Sequence, residues 1–212
     1  MTNVVCIIQA RMASQRFPGK VLQPIGTRPV IAMVAARAVK AVFPTVVAMP
    51  SGAADDALAT YRDGVPGGYA VNQFRWDGPE DDVLGRYAAC AREYEADVVV
   101  RITGDCPLVD PVAIQGQVRR LLDTGAMYVS NIYPVRTVPS GFDVEVFTAT
   151  ALYVAEALAT ESSDREHVTP WIQREFCGDP RSPNLVWLPT LHLSLDTPED
   201  LAMIRRVAEK MP

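Results

Sequence analysis

"ADVVVRITGDCPLVDP", residues 96–111, decides the fold. Val98, Val99 and Val100 form a β-branched run with Ile102 close behind. Gly104, Asp105 and Pro107 then make a turn, and Pro111 suits the first position of a helix. A strand without polar alternation is covered on both faces, as in a parallel sheet between helices. Its C-terminal end is where such sheets bind ligands.

Working outward, short apolar runs alternate with amphipathic segments, the pattern of an α/β protein. Upstream, "VVCIIQ" (4–9) reads as a buried strand, "RPVIAMVAARAVKAV" (28–42) as a helix and "TVVAMP" (45–50) as a second strand. "DDALATYRDG" (55–64) reads as a helix stopped by Gly64, residues 65–79 as a short strand and loop, and "EDDVLGRYAACAREYEA" (80–96) as a helix. Downstream come a helix over 111–123, then "MYVSNI" (127–132). "PSGFDVEVF" (139–147) alternates with period two, as in a strand of different, antiparallel arrangement. Helices are expected over 149–160 and 164–176, the latter capped by Asp164. "LHLSL" (191–195) reads as a last strand before "DTPEDLAMIRRVAEKM" (196–211), a helix with Thr197 at its cap and Pro198 in its first turn.

The 212 residues are 49% apolar, enough for one sizeable core, and a single domain over 1–212 is expected. A net charge of −5 argues against a general nucleic-acid or membrane-surface binder. Cys6, Cys90, Cys106 and Cys177 are widely spaced, without the paired spacing of zinc sites or the density of a secreted scaffold. The first strand starts near Val4 and leaves no room for a signal peptide. These features together suit a soluble chain in a reducing cytoplasm.

The first strand runs into "IIQARMASQRFPGKVL" (7–22), where Arg11, Arg16 and Lys20 crowd a loop holding Ser14, Pro18 and Gly19. Backbone N–H groups and cations converging there suit a phosphate. Ser14 and Val21 stand where a Walker A loop needs glycine and Ser or Thr, and no G-x-G-x-x-G is present. The alternative is an ordinary solvated cationic face.

The loop closely resembles the N-terminal signature of the cytidylyltransferases that activate acidic sugars. The likeness is to the acylneuraminate and 3-deoxy-manno-octulosonate cytidylyltransferase superfamily, and especially to its spore coat polysaccharide biosynthesis protein F branch. "DDVLGRY", "ADVVVRITGDCPLVDP", "YVSN", "PSGFDVEVF", "DREHVTPWI" and "LDTPED" resemble further motifs of that family in the same order. The resemblance implies a Rossmann-like, mostly parallel sheet of the glycosyltransferase-A nucleotidyltransferase type. It implies transfer of CMP from CTP to a sugar, expected to be an acidic sugar for surface polysaccharide or glycoconjugate synthesis, with release of pyrophosphate. It suggests a homodimer.

The same resemblance gives the triphosphate to Arg11, Arg16 and Lys20, and Mg²⁺ to Asp105 and Asp196. Hard carboxylate oxygens suit that ion. Arg11, Lys20, Asp105 and Asp196 form the expected catalytic set. Ala10 and Ser14 join the nucleotide site, with Gln9, Gly78, Asp82 and Arg86 as further nucleotide contacts. Asp143 and Glu145, two apart on one strand face, are assigned with His167 to the sugar.

Blander roles exist for several of these. Asp105 could order its turn, Asp196 could cap the last helix, Arg86 could pair with Asp82 at i, i+4, and His167 could pack or cap. Ala13 and Gln15 stand where relatives commonly have Gly and Thr, and His192 where many have arginine. Residues 176–190 look short and rewritten. A glycosyltransferase of the same sheet type and a non-catalytic sugar-nucleotide binding module are the competing functions; the first commonly carries an Asp-x-Asp motif, which "TGDCPL" lacks.

Overall fold

A computed structural model describes residues 1–59, 71–177 and 190–210. Six strands form the main sheet: β1 (Val4–Gln9), β4 (Thr45–Pro50), β5 (Val71–Trp76), β6 (Val98–Thr103), β7 (Tyr128–Ser130) and β8 (Glu145–Thr148). A two-residue hairpin, β2 (Pro24–Ile25) and β3 (Arg28–Pro29), follows the basic loop. The sheet order is β5-β4-β1-β6-β8-β7. The first four are mutually parallel, while β8 runs antiparallel to β6 and β7.

Side-chain alternation divides the central strand between two apolar layers. Cys6 and Ile8 pack with α1 (Val30–Ala38), α4 (Pro111–Thr124) and α8 (Pro198–Ala208). Val5 and Ile7 pack with α3 (Val83–Glu93), α5 (Ala149–Leu158) and α7 (Pro170–Phe176). Both faces of β1 are thus covered, which is why its sequence carries no polar alternation. Two short helices complete the described fold: α2 (Asp56–Ala59) and α6 (Ser162–His167). Among the described residues, no helix is long and apolar enough to cross a membrane.

Several elements differ from the sequence expectation. The first helix is shorter than 28–42, because Arg28 and Pro29 join the hairpin and Val42 ends the following turn at a φ of 63°. The 164–176 segment is two helices, with Val168 at a φ of 71° between them and Pro170 opening the second. Asp164 is no cap: it lies buried inside α6 and accepts from Arg174 at 2.9 Å. The 139–147 strand contracts to β8, which starts at Glu145. Gly64, and residues 178–189 of the rewritten segment, lie outside the described residues.

"LHLSL" is not a sheet strand. It forms one bridge, Ser140 to His192, and Leu193 N donates to the Ser140 carbonyl at 2.8 Å. Leu193 and Leu195 are buried, so the alternation that suggested a strand is real; its partner is the loop before β8 rather than a sheet edge. Leu195 N donates to the Asp105 carbonyl at 2.9 Å. This segment therefore carries Asp196 across the C-terminal end of β6.

Register fixes where the loops emerge. Gln9, the last residue of β1, lies beside Thr103, the last of β6. Gly104 N then donates to the Gln9 carbonyl at 2.8 Å. A Cβ on Gly104 would stand 2.8 Å from that carbonyl oxygen, a backbone atom unable to rotate away. Gly104→Ala is expected to destabilise by about 1–3 kcal/mol, or roughly 2–10 °C in Tm. Gly116→Ala, in α4 with nothing within 4 Å of the added carbon, should leave Tm unchanged or raise it. Thermal unfolding followed by circular dichroism compares the two.

Candidate active site

A cleft of about 530 Å³ opens above the C-terminal ends of β1 and β6. Such a volume is within the range of small-molecule sites. Its walls come from the basic loop, the β6 turn, the first turn of α3, the last turn of α6 and Asp196, two residues before α8.

The basic loop is folded back on itself. Gly19 sits at a φ of 70°, a left-handed conformation that glycine adopts without a Cβ clash, and its N–H donates to the Met12 carbonyl at 2.9 Å. Met12 N in turn donates to Asp55 Oδ1 at 2.7 Å. Asp55 is buried, so the loop is anchored from the segment after β4. Nothing in the loop's own sequence points to that anchor.

Reversal at Gly19 directs Lys20 inward. Its Nζ lies 2.6 Å from Asp105 Oδ2, 3.1 Å from Asp196 Oδ1 and 2.7 Å from the Leu195 carbonyl. Two aspartates 91 positions apart in sequence therefore share one ammonium group. Arg16 adds a second cation, its Nη2 2.8 Å from the same Asp196 oxygen. His192 Nε2 stands 3.7 Å from Asp196 Oδ2.

Burial by itself would lower the Lys20 pKa; the charge of Asp105 and its hydrogen bond, helped by Asp196, reverse this and hold it above the ordinary lysine value. Asp105 mirrors it. Burial would raise its carboxyl, but the charge and hydrogen bond of Lys20, with Thr103, keep it below the ordinary aspartate value. Both groups are therefore charged at neutral pH.

Arg11 sits at the mouth, 3.5 Å from Glu80, 3.7 Å from Asp81 and 3.5 Å from Glu166. These distances are longer than strong charge-assisted bonds. Arg86 rises from α3 and is 1% exposed. It does not pair with Asp82. Its guanidinium donates to the Glu80 carbonyl at 2.7 Å, and burial, with Arg11 nearby, holds its pKa below the ordinary arginine value.

Of the residues assigned from sequence, Gln9, Ala10, Arg11, Ser14, Arg16, Lys20, Arg86, Asp105, His167 and Asp196 line this one cleft. Four others lie outside its lining. Asp82 caps α3 through Gly85 N and receives two bonds from Arg165, at 2.9 and 2.7 Å. Gly78 lies under the Trp76 ring, where a Cβ would come within 2.1 Å. Asp143 is paired with Arg136 at 2.7 and 3.0 Å. Glu145 is buried and occupied by Arg101, by the Tyr128 hydroxyl at 2.7 Å and by Gln173 at 3.0 Å. The sugar assignment of Asp143 and Glu145 thus meets side chains already committed to protein partners.

Six lining residues are not assigned to the site from sequence: Gln15, Val21, Val83, Thr103, Gly104 and Glu166. Each lies within two positions of an assigned residue, and their signal lies in the same motifs, the basic loop, "DDVLGRY", "ITGD" and "DREHV". Cys106 is buried with its Sγ 3.0 Å from Thr103 Oγ1. Its thiol is pushed well up by burial and by Asp105, so it is no nucleophile at neutral pH.

The residues fit a divalent cation. Among the described residues, no group of three His, Cys, Asp or Glu side chains gathers as a closed metal cage. Mg²⁺, however, is usually held by one or two carboxylates and completes its shell with substrate phosphates and water. Asp105 and Asp196, with the Leu195 carbonyl, already converge their oxygens on one cationic centre.

The chain is 30% identical over 224 residues to the spore coat polysaccharide biosynthesis protein SpsF of Bacillus subtilis, covering 99% of this chain and 88% of that one. It is 38% identical over 123 residues to a 3-deoxy-manno-octulosonate cytidylyltransferase of Anaeromyxobacter, covering 57% of this chain and 48% of the relative. A cytidylyltransferase structure from Leptospira borgpetersenii superposes with a TM-score of 0.90 at 28% identity, over 100% of this chain and 89% of the other. The family profile described as cytidylyltransferase matches residues 5–209, and the chain accordingly belongs to the cytidylyltransferase family of nucleotidyltransferase enzymes.

Proposed function

We propose that this chain transfers CMP from CTP to a sugar, an acidic one destined for surface polysaccharide or glycoconjugate, and releases pyrophosphate. The observation that carries this is Lys20: one ammonium joins Asp105 and Asp196 in a cleft whose outer lip holds Arg11 and Arg16. The names of the relatives, a polysaccharide biosynthesis protein and an octulosonate cytidylyltransferase, support the acceptor class.

In this reading Arg11, Arg16 and Lys20, with Ala10 and Ser14 of the same loop, hold the triphosphate. Gln9 and Arg86 take the nucleoside side, and α6 presents Glu166 and His167 to the acceptor. An oxygen of the acceptor, from a hydroxyl or phosphate, attacks the α-phosphorus in line. The bond from that phosphorus to the β-phosphate oxygen breaks, pyrophosphate leaves, and a hydroxyl's proton passes to water. Mg²⁺ held by Asp105 and Asp196 would neutralise charge on the α-phosphate and on the leaving pyrophosphate. Lys20 and Arg11 supply fixed positive charge where it accumulates, so positioning and electrostatics provide the acceleration. No covalent enzyme intermediate is needed. The buried thiols of Cys6, Cys90 and Cys106 suit a reducing cytoplasm, where CTP is available.

A panel of nucleoside triphosphates and acidic sugars, assayed for pyrophosphate with Mg²⁺, tests the reading. CTP with one of the acidic sugars should release pyrophosphate. Turnover of a finished nucleotide sugar instead points to a glycosyltransferase, and CTP binding without turnover of any acceptor points to a binding module.

A further inference from the structure

Asp200 lies outside the cleft lining, in the first turn of α8, yet one of its oxygens holds the backbone of Asp196. Asp200 Oδ2 accepts from Asp196 N at 3.0 Å, from Thr197 N at 2.8 Å and from Thr197 Oγ1 at 3.0 Å. Asp200 N completes a capping box by donating to Thr197 Oγ1 at 3.2 Å. An ordinary capping box asks the third helical side chain to take only the N–H of the cap residue. Here the same oxygen also takes the N–H of the residue before the cap, and that residue is Asp196. His192 Nε2, at 3.9 Å, stands too far off to form a hydrogen bond with it.

Two N–H groups converging on one oxygen fix the planar peptides on both sides of the Asp196 Cα, and the orientation of those planes sets its φ and ψ. The plane before Asp196 is held a second time, since the Leu195 carbonyl accepts from Lys20 Nζ at 2.7 Å. Only the side-chain torsions of Asp196 then remain, and in this structure Lys20 and Arg16 settle them by holding Oδ1. Both cations are assigned to the triphosphate, however, and a cation drawn to phosphate oxygens restrains the carboxylate less. Asp200 has no second duty. Its bonds run to two backbone N–H groups and a hydroxyl, none of which lines the cleft.

Mg²⁺ demands near-ideal ligand geometry, and a ligand whose support is loose holds it poorly. We propose that Asp200 is a positioning residue for the divalent ion, keeping the Asp196 carboxylate convergent with that of Asp105 by clamping the backbone from which it springs. The proposal rests on the reading that Asp105 and Asp196 share an ion beside CTP. Asp200 touches neither ion nor nucleotide in it and acts through Asp196 alone.

Calorimetric binding of α,β-methylene-CTP, measured once in Mn²⁺ and once in EDTA, tests this without turnover. Mn²⁺ should tighten wild-type binding by at least about tenfold. Asp200→Ala should keep the EDTA affinity within about twofold and reduce the gain from Mn²⁺ to less than about threefold. Asp200→Asn keeps an acceptor oxygen at the same reach and should retain the gain to within about threefold of wild type. Thr197→Ala removes the cap hydroxyl but leaves Asp200 its two backbone partners; it should lower Tm by about 1–8 °C and keep the gain. Asp200→Gln, an ordinary capping-box side chain at that position, serves if Asp200→Ala fails to fold, and its oxygen, one methylene further out, should also shrink the gain.

A folded Asp200→Ala or Asp200→Gln protein with the full Mn²⁺ gain overturns the proposal. So does a Thr197→Ala protein that loses the gain as far as Asp200→Ala does, because the helix cap would then account for the whole effect. In either case wild-type binding with its gain intact leaves the transferase reading standing. If wild-type protein binds the nucleotide in neither condition, both fail.

Discussion

Asp105→Asn and Asp196→Asn should each lower turnover by roughly a hundred- to a thousandfold. The double variant should lose little more than either alone. That non-additivity follows from geometry: both carboxylates act on one cationic centre, and removing one already breaks the unit. Asparagine keeps the shape and one acceptor oxygen, so the fold should survive with a loss of about 1–3 kcal/mol. Steady-state pyrophosphate release and thermal unfolding measure the two effects separately. Full turnover in both single variants would exclude the aspartates from the chemistry.

Lys20→Met carries the second large effect, and it reaches stability as well as rate. The Lys20 side chain is only 13% exposed, and its ammonium is held by three oxygens. Removing it leaves two facing carboxylates without their shared cation, at a cost of about 3 kcal/mol. Turnover should fall by at least about a hundredfold, because positive charge at the triphosphate is lost.

The dependence on pH gives this prediction a sign. Lys20's pKa is raised in the fold, so its stabilisation is complete below the ordinary lysine value of about 10.4 and is lost as pH climbs through the raised value. Asp105's is lowered, so its stabilisation is present above the ordinary value of about 3.9 and is lost as pH falls through the lowered one. Wild-type protein should therefore hold this contribution across the neutral range and lose it at both extremes. In Lys20→Met the carboxylates repel, and protonating one relieves them. Stability of the variant relative to wild type should then improve on acidification, a trend read from denaturant midpoints at several pH values.

Most of the fold could be read from the chain because a parallel strand buried on both faces writes an unbroken apolar run. Residues 4–9, 45–50 and 98–103 are such runs, and they form β1, β4 and β6. "LHLSL" could not be read so. Its alternation is the signature of half burial, but sequence carries no information on what lies beside it, and the neighbour is a loop at residue 140. Helix 164–176 was over-extended for a local reason, the backbone reversal at Val168 ahead of Pro170.

The cleft divides in the same way. Arg11, Lys20 and Asp105 stand in motifs with visible spacing, and they are brought together by strands that sequence patterning locates. Asp196 reaches them through long-range bonds, among them Leu195 N to the Asp105 carbonyl and Lys20 Nζ to the Leu195 carbonyl, which no local pattern encodes. Asp143 and Glu145 carried a plausible polar pair on one strand face, yet each found a cation within the protein, Arg136 and Arg101. An acidic side chain in sequence shows its charge but not its counter-ion. Asp82 is the same case, since Arg165 is 83 residues away.

In the proposed reading a triphosphate lies between the basic loop and two aspartates that hold one divalent ion. Crystals grown with Mn²⁺ and α,β-methylene-CTP, whose α–β bridge resists cleavage, test it through the anomalous signal of the metal. A manganese peak bonded to both Asp105 and Asp196 is expected, with phosphate oxygens against Arg11, Arg16 and Lys20. A peak elsewhere, or phosphates turned away from Lys20, would contradict it.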